Sequence, residues 1–385
     1  MPANNTTSRR VSTYLKQNRL PASYYRGGTS RAVIFNQRDL PTSREQWIPI
    51  FRSVIGSPDP NGRQLDGLGG GISSLSKVCV VGKPTHPEAD VDYTFAAIGV
   101  KDDEVDFSSN CGNMTSAIGP FAVDSRMIEV EDGQTTVRIH NTNTGKIIHA
   151  RFGVSEGEAV TAGDFAIDGV AGTAAKVELA FLNPAGSKTG TLLPTGNVTD
   201  KLDNVRVTCI DAGNPCVFVQ ARDLDVDGTI LPDAMDTHPT LLAKLDTIRR
   251  LASVAMGLSK DEKSATGSIP KIAIVSPPAT HQLLSGEQIG RDAIDIVVRA
   301  LSVGQPHRAV PITVAMACAA AAHVEGSVLQ QVVATQRADH SGISLGHSSG
   351  KILVGSTFDK DGKLTEAKVF RTARRIMDGL VYWKS

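Results

Sequence analysis

Strand-type segments dominate this chain, and their order limits the folds open to it. Residues 32–35, 77–81, 91–100, 137–140, 205–210, 216–219 and 271–276 form short runs rich in β-branched side chains, with turn formers between them. Helical periodicity is sparser. Thr42-Ser43-Arg44-Glu45 reads as a capping box opening a helix with Trp47, Ile48, Phe51 and Val54 on one side, shortened or shifted by Pro49. Residues 239–256 carry Leu242, Leu245, Ile248, Leu251, Ala252 and Ala255 at helical steps, and Gly257 closes that helix. Residues 313–323 are Ala-rich, too small-sided for a surface helix and suited to a domain centre. Strands, a helix, then strands again predict an α+β arrangement repeated, not the regular βαβ alternation of a dinucleotide-binding fold.

A chain of 385 residues is long enough for two domains, each with its own core. Turn formers concentrate at residues 190–200 and place a boundary just after them. The expected division is a basic flexible tail at 1–23, a first domain at 24–203 and a second at 204–385, with the last segment able to pack back on the first domain. Lys+Arg and Asp+Glu both number 40, so no overall field draws the chain to nucleic acid or to a membrane. Aromatic residues make up 5%, too few for base-stacking platforms, and Tyr24 and Tyr25 read as an edge-strand pair. No apolar run approaches the ~18 residues of a membrane span. The five cysteines form no Cys-x-x-Cys pair and no zinc-spaced cluster, which implies free thiols in a reducing compartment and no metal site. The first 38 residues contain seven Lys/Arg and no acid. A mitochondrial transit peptide shares that composition, but Pro2, Asn4 and Asn5 spoil an amphipathic helix, so a cytoplasmic protein with a basic tail is expected.

The chemistry concentrates at Asn110-Cys111-Gly112-Asn113-Met114. A cysteine followed by Gly-Asn and a small-residue helix places a thiol at a helix N-terminus, where free N–H groups and the helix dipole favour the thiolate. The same N–H groups seat a carboxylate. A base and an anion site in one turn point to proton transfer at carbon next to a carboxylate. Upstream, Asp66-Gly67-Leu68-Gly69-Gly70-Gly71-Ile72-Ser73-Ser74-Leu75-Ser76-Lys77 offers backbone amides, hydroxyls and a lysine entering an apolar strand. It is no nucleotide loop: no buried strand precedes it, Ile72 replaces the third fingerprint glycine, and no Gly-Lys-Ser/Thr follows. Between Val78 and a polar turn, Lys77 is either a desolvated proton carrier or a solvated strand-edge cation. Arg26-Gly27-Gly28-Thr29-Ser30-Arg31 and Gly346-His347-Ser348-Ser349-Gly350 are turns suited to anions, Asn214 sits in a turn between strands, and His307 and Arg308 precede the Ala-rich helix.

Together these motifs resemble the diaminopimelate epimerase superfamily, in its branch of methylaconitate, methylitaconate and aconitate isomerases. The stretches that carry the resemblance are Tyr25-Arg26-Gly27-Gly28-Thr29-Ser30, Asp66 through Lys77, Val91-Asp92-Tyr93, Asn110-Cys111-Gly112-Asn113 with Gly119-Pro120-Phe121-Ala122, and Leu192-Leu193-Pro194-Thr195-Gly196-Asn197. Asp211-Ala212-Gly213-Asn214-Pro215, Gly346-His347 with Ser349-Gly350, and Arg371-Thr372-Ala373-Arg374-Arg375 complete it in family order. The resemblance implies two similar domains, each a β-sheet wrapped round a central helix, with the active site in the cleft and no cofactor. It implies Cys111 and Lys77 as acid/base groups. Thr29, Ser30, Gly70, Gly71, Ser73, Gly112, Asn113, Met114, Asn214, Met316, Gly346, His347 and Ser348 would bind an unsaturated tri- or dicarboxylate. A homodimer is an open expectation.

Two departures narrow the reaction. Amino-acid epimerases of the superfamily carry a second catalytic cysteine at the start of the second central helix, where this chain has Thr313-Val314-Ala315-Met316. Cys318 lies two residues away from that position. This favours double-bond migration or cis–trans exchange over two-thiol racemisation. Cofactor-independent racemisation, or carboxylate binding without catalysis, are the alternatives. Ser348 also stands where relatives carry proline.

Overall fold

The computed structural model describes residues 17–384 apart from 109 and 303. Eighteen of its strands join into one continuous sheet that curls round two helices, and His281–Gln282 pairs separately with Gln288–Ile289. In the first half, pairing runs from Asn18–Gly27 through Ser30–Asn36, Lys77–Gly82, Val91–Ile98, Gly133–Asn141, Lys146–Ser155 and Lys176–Leu182 to Leu364–Trp383, which pairs back with the first strand and closes the ring. The final strand is shared. Its beginning also pairs with Gly350–Phe358, and from there the sheet passes through Ile343–His347, Ile296–Ser302, Lys271–Ser276 and Pro215–Gln220 to Val205–Asp211.

Five α-helices are described: α1 (Trp47–Ile55), α2 (Gly112–Asp124), α3 (Pro232–Asp236), α4 (Leu241–Ala255) and α5 (Ile312–Ala321). α2 and α5 lie inside the curled sheet, and one continuous core encloses both. Their small residues follow from that enclosure. A Cβ on Gly119 would stand 2.7 Å from Phe152 Cε1, so a bulkier helix could not fit. α1 and α4 cover the outer faces of the two halves and form separate cores. Covered on both faces, a strand such as Lys77–Gly82 reads as a nearly unbroken apolar run. Its alternation sends Cys79 and Val81 inward to α2, and Val78 and Val80 outward to α1.

Several expectations need adjusting. Ser43 leads a 3-10 turn, Arg44–Gln46, without the side-chain cap of a capping box; its hydroxyl donates to Glu45 instead. Pro49 sits in the first turn of α1, where a missing N–H costs little, and Ile50 rather than Ile48 is buried. In α4 the buried stripe runs through Leu241, Leu245, Ile248 and Ala252, leaving Leu242 and Leu251 half-buried and Ala255 exposed. Tyr24 and Tyr25 are not on an edge: both are buried in a strand that has neighbours on both sides. Strand structure begins at Asn18, so residue 23 falls inside an element; residues 1–16 of the expected tail lie outside the described residues. The 203/204 boundary would split a hairpin, because Asp200–Leu202 pairs with Val205–Asp211. No helix among the described residues is long and apolar enough to cross a membrane.

Candidate active site

α2 and α5 begin at the same place. Cys111 is the N-cap of α2 and Pro311 that of α5, and neither end has a side-chain cap. A Cβ added to Gly112 would meet Ile312 Cδ1 at 2.7 Å, so the two first turns touch. The free N–H groups and positive dipole ends of both helices therefore face one region, the wall of a cavity of about 1320 Å3 lined by Cys111, Gly112, Asn113, Ile312, Thr313 and Met316, among others. Of the five cysteines, Cys111 alone is not buried. Burial pushes the thiols of Cys79, Cys209, Cys216 and Cys318 up, which keeps them protonated and inert. The Cys111 sulfur lies 4.0 Å from Ser30 Oγ.

Hydrogen bonds force the polar groups of this wall into donor orientations. Arg371 Nε, which can only donate, reaches Asn113 Oδ1 at 3.1 Å; the Asn113 amide nitrogen must then donate to Thr29 Oγ1, 3.0 Å away. Thr29 accepts there and keeps its own hydrogen for another partner. The Thr29 turn is shaped for this contact: Gly28 has φ +51°, and a Cβ on it would stand 2.3 Å from Asn113 Oδ1. On the other side, Thr144 N–H donates to Asn141 Oδ1 at 3.0 Å, so the Asn141 amide nitrogen donates to Asn110 Oδ1, also at 3.0 Å. Asn110 is left presenting its NH2 group from the cavity wall.

Arg371 is one of the cations lining the cavity, with Lys146, Lys188 and Lys351. Among the described residues no carboxylate pairs with it; beyond Asn113 it donates only to the Phe370 carbonyl, at 2.8 Å. Enclosure draws its pKa down to about 10 by desolvation. A cation lining a cavity without an acid partner is prepared for an anionic ligand.

The second half supplies the opposite wall. Gly213, in the turn that precedes Asn214, packs under the Met316 side chain. Cys318 is fully buried behind it. His347 ends the strand Ile343–His347 and lines the cavity. Burial and the nearby Arg299 and Arg371 bring its pKa down to about 3. His307 also lines the cavity, with its pKa lowered by burial. Arg308 instead faces Asp233 at 3.9 Å. A strap at residues 164–169 joins the two walls. Asp168 accepts from Lys351 N–H at the Gly350 turn, and Gly169 packs against Thr29. Loss of hydration raises the Asp168 pKa.

Of the residues singled out from sequence, Thr29, Cys111, Gly112, Asn113, Met316 and His347 line the cavity. Ser30 touches Cys111 from behind, while Met114, Asn214, Gly346 and Ser348 neighbour lining residues without lining it themselves. The glycine-rich loop is organised elsewhere. Buried Gln64 accepts from Gly71 N at 2.9 Å and Ser76 Oγ at 2.7 Å, and Gly69 N bonds to Ile55 O at the end of α1. Gly70, Gly71 and Ser73 are thereby held outside the cavity wall. Lys77 points inward on the Cys79 face, with its ammonium 5.2 Å from the centre of the Phe95 ring. Lys77 thus stands beside the site rather than in its wall. Sequence reasoning gave no role to Arg371, Asn141 or Asp168; the one available signal was the Arg371 stretch shared with the superfamily. Among the described residues no His/Cys/Asp/Glu group has the geometry of a metal site.

Comparison with known proteins agrees with this architecture. The chain is 39% identical to 3-methylitaconate isomerase of Eubacterium barkeri, covering 95% of this chain and 97% of that protein. It is 37% identical to 2-methyl-aconitate isomerase of Shewanella oneidensis, over 95% and 97%. The crystal structure of a methylitaconate-delta-isomerase superposes with a TM-score of 0.88 at 39% identity, covering 95% of this chain and 96% of that one. The PrpF protein family model matches residues 17–384, and with nearly the whole chain inside that match, this protein belongs to the PrpF family.

Proposed function

We propose that this protein is a cofactor-independent isomerase that shifts, or exchanges the geometry of, the C=C bond of an unsaturated tri- or dicarboxylate of the methylaconitate, methylitaconate or aconitate type. The observation that carries this reading is the meeting of two uncapped helix N-termini at Cys111, beside an arginine without an acid partner. Arg371 and the helix ends hold the carboxylates. A base removes a proton from the carbon γ to one carboxylate, and the electron pair delocalises through the double bond into that carboxylate as a dienolate. Reprotonation at the other allylic terminus moves the double bond; reprotonation after rotation returns it with changed geometry. Cys111 and Lys77 are the proton carriers, one giving and one taking. Lys77 would act by swinging from the Phe95 face towards the thiol. The fixed donors on Asn110, Thr29 and the helix ends stabilise charge on the dienolate with little reorganisation.

Proton NMR in deuterated buffer with a panel of such acids tests the proposal. Deuterium should enter an allylic position of one acid, and the rate should persist after dialysis against a strong chelator. Exchange at an amino-acid α-carbon, or tight binding of the acids with no exchange, would overturn it.

A further inference from the structure

Resting on that reading, we propose that His347, in its neutral Nε2–H form, donates a hydrogen bond to the substrate carboxylate oxygen that gains charge in the dienolate. The strand Ile343–His347 alternates so that Ile343, Leu345 and His347 face the interior shared with α5, which brings the imidazole to the cavity wall. The ring's orientation follows from its turn. Ser349 N–H, a group that can only donate, lies 3.2 Å from His347 Nδ1, so Nδ1 must be the bare, accepting nitrogen. The single proton of a neutral imidazole then sits on Nε2, which makes no bond to any described residue.

The turn cannot easily rearrange. Ser349 Oγ donates to Arg308 O at 2.7 Å, and the Asp168 carboxylate fills the space beside Gly350, whose φ is +136°. The surroundings also exclude the imidazolium. Arg299, Arg371 and His281 act on His347 against a positive charge, and the carboxylate at this turn, Asp168, is engaged by Lys351 N–H. The depressed pKa agrees with that geometry. A neutral donor suits this role, because it polarises the carboxylate as charge builds without giving up a full proton and trapping the intermediate.

The test pairs a spectroscopic readout with kinetics. In 15N-histidine-labelled protein, the His347 signals, assigned by their loss in His347→Gln, should show the Nε2–H tautomer unchanged from pH 5.5 to 8. An imidazolium or an Nδ1–H tautomer overturns the proposal. His347→Phe should lower kcat about 100-fold or more, in line with the loss of one oxyanion donor, with a smaller change in KM. His347→Gln, which can return an N–H at similar reach, should recover at least tenfold of that loss. His347→Phe should still bind a saturated tricarboxylate, which shows that the site is intact. If the Phe variant keeps wild-type kcat, or loses only KM, the role is wrong. Wild-type protein that exchanges no proton with any acid of the panel would remove the isomerase reading and this role together; an active wild type with an unimpaired Phe variant removes the role alone.

Discussion

Replacing Arg371 by methionine separates a binding cation from a structural one. Enclosure holds the guanidinium pKa down to about 10 against an ordinary value above 12, which makes the cation roughly 3 kcal/mol costlier here than in water. Its bonds to Asn113 Oδ1 and Phe370 O offset that cost, at about 1.5–3 kcal/mol for each bond involving a charge. The terms nearly cancel, so Arg371→Met should change the stability of the unliganded protein by only ~1 kcal/mol. Binding should suffer far more. A charge-assisted pair with a substrate carboxylate is worth about 3 kcal/mol, or roughly 150-fold in KM. Arg371→Lys keeps the charge but loses the Nε donor to Asn113, and should fall between the two. Thermal melts with and without an unreactive tricarboxylate, alongside KM, give the readout. The ligand should raise the wild-type melting temperature and leave that of Arg371→Met almost unmoved. A destabilised variant with wild-type KM and an undiminished ligand shift would refute the reasoning and make Arg371 a structural residue.

Other perturbations address the remaining parts of the site. Cys111→Ser should fold normally and lose at least ~100-fold in turnover, whereas Cys318→Ser, at a buried position, should keep most activity; an equal loss in both would revive a two-thiol mechanism. Lys77→Arg can hold an anion but barely releases a proton at neutral pH, so full turnover in that variant would limit Lys77 to an electrostatic role. Gly28→Ala meets both a left-handed backbone and the Asn113 carboxamide, and should cost about 1–2 kcal/mol in chemical denaturation while raising KM; unchanged values would mean that the turn is not shaped by this contact. His347 stays neutral in the folded protein down to about pH 3, while the unfolded chain protonates it near its ordinary value of about 6.5. Its contribution to stability is therefore complete above that value and lost as pH falls towards 3. The melting temperature of His347→Gln should fall less steeply than that of wild type between pH 6.5 and 4, and parallel curves would refute the burial argument.

Local patterns carried the first part of the fold. Residues 77–81, 205–210 and 271–276 were legible as strands because their β-branched runs are short and bounded by turns. α5 was legible as a central helix because alanine at every face fits only where a sheet closes in. Several strands stayed hidden, two of them because of their charge. Lys146–Ser155 and Leu364–Trp383 carry arginine, lysine and acid on their exposed faces, including the Arg151 pairs with Glu178 and Glu366, so neither reads as apolar. The glycine-rich loop looked like a ligand cradle, yet its amides turn to buried Gln64, a contact its spacing does not encode.

By itself, then, the sequence determined the α+β class, the two small-residue helices and a thiol at the start of one of them, since propensity, turn chemistry and side-chain size act over a few neighbouring residues. Tertiary structure alone decided the rest. It brought Gly112 and Ile312 together across some two hundred residues, closed the first ring with the strand Leu364–Trp383, left Arg371 without a carboxylate partner among the described residues, and turned His347 so that Nδ1 accepts. Each of these depends on which distant groups share a dehydrated space, because that decides whether a charge is paired and which nitrogen holds a proton.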